Sequence, residues 1–140
     1  VNSDNTQHLK DAGADETICT TEIGVGILAH CAVNKQLSVV YKDLLTYSFE
    51  GNEIYIIPRE SYPATFLGKT FAECGQILYA KRDRTNPVIL LGIRRKDQVI
   101  MNPRKGSVGI EDGELRIEPE DALIVMAFSA PDLKACFDEP

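Results

Sequence analysis

The stretch of residues 23–33 constrains this chain more than any other feature, because almost every residue in it is apolar or small. Ile23, Ile27 and Cys31 line up at helical spacing, while Val25, Leu28 and Ala32 fall on other faces. A helix that is apolar all round needs burial on more than one side. Gly24 and Gly26 lower helix propensity but permit close backbone approach. Thr20 reads as the N-cap, and Glu22 places a carboxylate in the first turn, where the helix dipole favours it. Asn34, Lys35 and Gln36 interrupt the run. Leu37, Val40, Tyr41, Leu44 and Leu45 then resume at helical spacing, with Lys42 and Asp43 on the outer side. The pattern predicts a helix–turn–helix pair over residues 21–47. Its first member is too apolar for a monomer with one core, so it is expected to form a homodimer interface through Ile23, Gly24, Ile27, Leu28 and Cys31.

The remaining chemistry narrows the class. A chain of 140 residues buries roughly 68–70% of its unfolded surface and needs no disulfide scaffold. A formal charge of −6 argues against a nucleic-acid partner, which calls for a basic surface. No apolar run reaches the ~18–20 residues of a membrane span; the longest, 87–93 and 122–128, are strand-sized. No charged-then-apolar start marks a signal peptide. Cys19, Cys31, Cys74 and Cys136 lie far apart in apolar neighbourhoods, with no C-x-x-C pair and no histidine spacing to complete a zinc set. They read as buried thiols of a reducing compartment, which points to the cytoplasm. The chain begins at Val1 and ends at Pro140 and is expected to be a piece of a longer protein.

Around the helix pair the periods differ. Residues 7–11 read as the end of a helix stopped at Gly13, and 16–19 as a short strand, together half of a βαβ unit. Beyond Tyr47 the period becomes two. A strand is predicted over 53–57, ended by Pro58, then a loop, then a helix from Gly68-Lys69-Thr70 to about Tyr79. Residues 88–93 form a continuous apolar strand expected to be covered on both faces, and 98–101 its hairpin partner. Leu115 and Ile117 suit a short strand, 123–128 is another fully apolar strand, and 131–137 begins a last helix with Pro131 in its first turn. The fold class is α+β, a small mixed sheet with flanking helices.

Few motifs carry chemistry. Gly24 to Ala29 matches G-x-G-x-x-A, but a helix start precedes the first glycine where the dinucleotide motif requires a strand, so packing glycines are the simpler reading. Arg94, Arg95 and Lys96 flank the hairpin, with Asn102, Arg104 and Lys105 soon after. They form either a solvated tip or a guanidinium pair beside Asn102 that holds a phosphate or carboxylate. Glu111, Asp112, Glu114, Glu118, Glu120 and Asp121 make an acidic run that does not fit an EF-hand and reads as a turn plus a solvated face. Asp43 and Glu73 read as exposed helix residues. His8, His30 and the serines fall in no nucleophile or acid–base pattern, so no enzyme is expected.

The order of several short motifs resembles a known family. Leu9 to Ile18 (LKDAGADETI) resembles the L-x-x-A-G-A-D-x-V-I end of the Rossmann-like N-lobe of RCK domains, the regulators of potassium conductance. Residues 22–32 resemble the family's crossover helix. Gly68 to Glu73 (GKTFAE) resembles the G-K-T-L-x-E signature of the RCK C-lobe, the TrkA C-terminal-like domain. Residues 88–95 resemble its V-I-x-I-x-R strand, 99–103 its x-I-x-N-P strand, and 117–125 its L-x-x-G-D-x-L-x-V segment, with Glu120 in place of the glycine. The segment 104–116 is longer than in compact members.

The resemblance implies an N-lobe tail over 1–20, a crossover helix pair over 21–47 and a C-lobe over 48–140. It implies a ligand-sensing domain on the cytoplasmic face of a membrane protein, dimerising within a gating ring that controls a potassium channel pore. A Trk/Ktr-type uptake system or a cation antiporter is the alternative parent, and a small-molecule-binding enzyme fragment is a further one. Calcium or a nucleotide is the implied ligand. Asp43 matches the position of an acid in a calcium-gated member, and Arg95, Asn102 and Pro103 match the strand pair that faces a dinucleotide in others.

Overall fold

The computed structural model describes residues 6–46, 51–81, 84–104, 113–135 and 137. The chain divides into two compact units, Val1–Thr46 and Tyr47–Pro140. Lys105, Glu111, Asp112 and Cys136, which the sequence singles out, lie outside the described residues.

The first unit is helical: α1 (Thr6–Asp11), α2 (Thr20–Val33) and α3 (Leu37–Leu45). Helix α1 ends as its sequence predicts. Gly13 takes φ +90°, the Ala14 N–H donates to the Leu9 carbonyl at 3.0 Å and the Gly13 N–H to that of Lys10 at 2.9 Å. That bond pair is a Schellman closure, which needs a left-handed residue and so favours glycine. Residues 16–19 take no regular secondary structure and join no sheet, contrary to the expected strand. A strand needs a ladder partner, and the described part of this unit contains only helices. The α2 N-cap falls on Cys19, without a side-chain cap bond, so Thr20 is the first helical residue rather than the cap. Asn34 closes α2, its side-chain amide donating to the His30 carbonyl at 3.2 Å, and Gln36 turns the chain in the left-handed region at φ 67°.

Along α2 the half-buried residues are Gly24, Ile27 and Cys31; along α3 they are Leu37, Tyr41 and Leu44. These spacings are one stripe per helix. The stripes are joined at one end by His30 Nδ1 and the Tyr41 hydroxyl, 2.7 Å apart. Neither helix has a fully buried residue.

The second unit is α+β, built from β1 (Glu53–Ile57), α4 (Phe71–Ala80), β2 (Ile89–Arg95), β3 (Gln98–Met101) and β4 (Asp121–Ala127). The four strands lie in the order β1-β4-β2-β3, and every pairing is antiparallel. The expectation of a mixed sheet is therefore corrected. Strands β1 and β2, on either side of α4 in the chain, do run in the same direction, but β4 lies between them and opposes both.

Helix α4 starts at a capping box. The Glu73 N–H donates to Thr70 Oγ1 at 3.1 Å, and the Thr70 N–H donates to Glu73 Oε2 at 2.7 Å. Glu73 is thus a capping residue, not merely an exposed acid, and these bonds hold its carboxyl below the usual range. The segment around Arg116 fastens the same turn: Phe71 N–H to the Leu115 carbonyl at 2.7 Å, Ile117 N–H to that of Lys69 at 2.9 Å. Leu115 and Ile117 are buried, and a bridge joins Thr70 and Arg116.

One sheet face and α4 enclose the core, formed by Tyr62, Phe66, Cys74, Leu78, Ile93, Leu123 and Val125 with Leu133. Strand β4 is buried almost throughout, whereas β2 is covered only at Gly92 and Ile93, so the expected two-sided burial belongs to β4. Residues 133–135 form a turn, and no helix is found among the described residues of the expected stretch 131–137. Asp132 Oδ1 accepts from the Lys134 and Ala135 N–H groups at 3.1 and 3.0 Å, the bonds of an N-cap over a single turn.

Candidate functional site

The densest polar assembly of the second unit joins the hairpin end of β2 to the start of β4. The register pairs Arg95 with Asp121. Arg95 Nε donates to Asp121 Oδ1 at 2.7 Å and Nη2 to Oδ2 at 2.8 Å, a bidentate pair. Nη2 also reaches the Arg116 carbonyl at 2.9 Å, and Nη1 lies 3.0 Å from Glu118 Oε1. All three guanidinium nitrogens are therefore engaged inside the chain. Hydrogen bonding to Asp121 raises the Arg95 pKa further above its ordinary value.

Asp121 is fully buried. Its Oδ2 also accepts from the Glu118 N–H at 2.8 Å, and the Tyr62 hydroxyl donates to its backbone carbonyl at 2.8 Å. Burial pushes the Tyr62 phenol up to about 12. A buried carboxylate persists only with such partners. The sequence places Asp121 in a solvated acidic run; the structure places it at the centre of the polar core. The available signal was its position at the start of the most apolar strand, with an arginine ending another.

The expected anion-holding set does not converge. Asn102 follows β3, its N–H donating to the Leu91 carbonyl at 2.7 Å. Arg95 pairs with Gln98 at the other end of the same hairpin. At ~3.3 Å per residue the two positions are about 13 Å apart along the strand. Pro103 adjoins Asn102, at φ 41° a left-handed turn residue. At the hairpin tip Lys96 lies 3.4 Å from Glu120, both largely in solvent, so the tip residue Lys96 follows the solvated reading.

Asp43 is exposed on α3. Among the described residues no group of three or more His, Cys, Asp or Glu side chains is placed to hold a metal ion. Of the five expected interface residues, Gly24, Ile27 and Cys31 are partly covered within the helix pair, while Ile23 and Leu28 stand in solvent. Val25, Val33, Val39, Val40 and Leu45 extend that apolar exposure. Adding a Cβ at Gly24 or Gly26 would meet nothing within 4 Å, so no close approach inside the chain requires either glycine.

Cys19, Cys31 and Cys74 are free thiols. Cys74 is buried, and burial raises its thiol to about 11, which makes it inert. An open cavity of about 540 Å³ is lined by Glu60, Ser61, Pro131, Asp132 and Lys134 among others. Asp132 there already serves its own turn. No helix among the described residues is long and apolar enough to cross a membrane. No family model matches the chain, and a search of curated proteins finds no match.

Proposed function

We propose that this chain is a regulatory, ligand-sensing lobe on the cytoplasmic face of a potassium channel, dimerising through α2 and α3 within a gating ring. The observation that carries the reading is the α2–α3 pair. It exposes Ile23, Val25, Leu28, Val33, Val39, Val40 and Leu45 and contains no fully buried residue. An isolated pair of short helices is marginal without tertiary packing, so this surface calls for a partner. The motif order that resembles an RCK crossover helix and C-lobe supports a second copy as that partner. A Trk/Ktr-type transporter parent shares the same lobe and the same dimer.

The mechanism would be population shift: a ligand that prefers one dimer geometry biases the ring, and the ring acts on the pore. Calcium and nucleotides are the ligand classes proposed. Because Arg95 is held by Asp121, a nucleotide at this hairpin would have to rely on Asn102 and Pro103 or displace a buried ion pair.

Sedimentation of the chain at about 10 μM tests the dimer, with Leu28→Asp, a change at a solvent-facing position, expected to reduce its mass. Melting with calcium, ADP, NAD or a cyclic dinucleotide tests sensing, since a ligand at 100 times its Kd adds about 2.7 kcal/mol. A mass unchanged by Leu28→Asp together with no shift from any ligand would overturn the proposal.

A further inference from the structure

The open cavity beyond the end of β4 is walled by two turns. One is the short helical turn Arg59–Ser61, which supplies Glu60 and Ser61. The other follows β4 and supplies Asp132 and Lys134, with Ala130 and Pro131 leading into it. Each wall is anchored in the core. Tyr62 follows Ser61 directly and is fully buried; the Arg59 guanidinium stands 4.9 Å over its ring, and Nη1 donates to its carbonyl at 2.9 Å. Leu133, between Asp132 and Lys134, is also buried. Asp132 Oδ1 fastens that turn from within. The walls are therefore set before any ligand arrives, which lowers the entropy cost of binding.

The side chains that line this space are not used by the fold. Among the described residues, those of Glu60, Ser61 and Lys134 make no hydrogen bond or ion pair. A carboxylate, a hydroxyl and an ammonium thus line one cavity of about 540 Å³, within the ~300–1,000 Å³ of small-molecule sites. The chemistry of the lining argues against two ligand classes. It has no aromatic ring and no arginine, so a nucleobase finds no platform to stack on, and a single lysine is a poor match for a polyphosphate. Two carboxylates, one of them with an oxygen committed to its own turn, fall short of the roughly six oxygens that calcium takes.

We infer that this cavity binds a free amino acid. The ligand's ammonium group pairs with Glu60, its carboxylate pairs with Lys134, and the Ser61 hydroxyl donates to that carboxylate. Both charged groups of an α-amino acid sit on one carbon. It therefore meets two unpaired opposite charges at once, as neither a simple cation nor a simple anion does. Ala130, Pro131 and Ala135 leave small apolar surface for its side chain. Asp132 adds a second negative charge, so basic and neutral amino acids are favoured over acidic ones.

The site stands on the sheet unit alone; only its use as a regulatory input rests on the proposed function. Calorimetric titration of the unmodified chain with millimolar L-lysine, L-alanine and L-glutamate tests it, with acetate and methylammonium as single-charge controls. L-Lysine and L-alanine are expected to give saturable heat, L-glutamate less, and the controls none. Glu60→Gln and Lys134→Met, both at exposed positions, should each weaken binding roughly tenfold or more through loss of a charge-assisted hydrogen bond. Lys134→Arg should retain it. Circular dichroism confirms that the variants fold. The inference is overturned by no saturable heat from any amino acid, by an unchanged affinity in Glu60→Gln or Lys134→Met, by L-glutamate binding as tightly as L-lysine, or by either control binding as tightly as L-alanine. Each of those results leaves the sedimentation of the α2–α3 dimer untouched, and a monomer in sedimentation leaves the titration untouched, so the two readings fail separately.

Discussion

The helical unit and the sheet unit treat apolar surface in opposite ways. In Tyr47–Pro140, Tyr62, Phe66, Ile93, Leu123 and Val125 are taken out of water by their own chain, and a buried ion pair is satisfied on every side. In Val1–Thr46, α2 is rich in apolar residues, yet its residues remain in contact with solvent. The difference shows that hydrophobic content does not decide whether a segment forms a core. A core needs elements that meet around it, and two helices joined by a tight link offer each other one stripe apiece. The sheet unit carries its stability internally. Helices α2 and α3 bury no residue fully.

That contrast gives graded expectations. The largest effect belongs to the sheet unit. Asp121→Ala leaves the Arg95 guanidinium without its main partner and should cost about 3–5 kcal/mol in urea unfolding monitored through the core tyrosines. A loss below about 1 kcal/mol would mean that the strut between β2 and β4 is dispensable.

A smaller effect separates the units by concentration. If α2 and α3 are completed by another copy, tenfold dilution should lower the stability of the helical transition by about 1.4 kcal/mol per mole of dimer. The sheet transition should respond far less. Helical and sheet transitions that shift together would erase the distinction.

The smallest effect concerns the Tyr62 hydroxyl. Tyr62→Phe removes its bond to the Asp121 carbonyl and should cost about 1 kcal/mol near neutral pH. The Tyr62 pKa is raised from 10.0 to about 12 in the folded chain. Its contribution is thus fully present below pH 10 and lost as pH rises from there through 12. The unmodified chain should lose stability across that window more steeply than Tyr62→Phe. Parallel curves would show that the phenol titrates as it does in the unfolded chain.

Much of the fold was legible because it is local. The alternation in residues 53–57, the Gly13 stop and the Gly68-Lys69-Thr70 helix start depend on neighbours within a few positions, and the structure follows each. Some errors arose where a residue's partner is distant in sequence. Asp121 looks solvated beside Glu118 and Glu120, and only the approach of Arg95 makes it a buried acid. Glu73 looks like any helix acid until Thr70 is seen at the cap three residues before it, a spacing that could have been read. A mixed sheet was expected, but β4 arrives from far along the chain to lie between β1 and β2 and oppose both. At the candidate site, motif order brought Arg95 and Asn102 together on paper, while hairpin geometry sets them at opposite ends.

Strand β4 also has a consequence for how the molecule comes to exist. It is the last of the described strands in the chain, and among them it is the sole partner of β1. Until residue 121 is made, the register offers only the β2–β3 hairpin. On a ribosome, β1 and the outer edge of β2 therefore wait with unpaired backbone while the long connection after β3 is synthesised. Pairings so remote in sequence slow folding and prolong exposure of strand edges. The sheet closes late, so losing β4 would leave β1 unpaired among the described strands and only the β2–β3 hairpin in place.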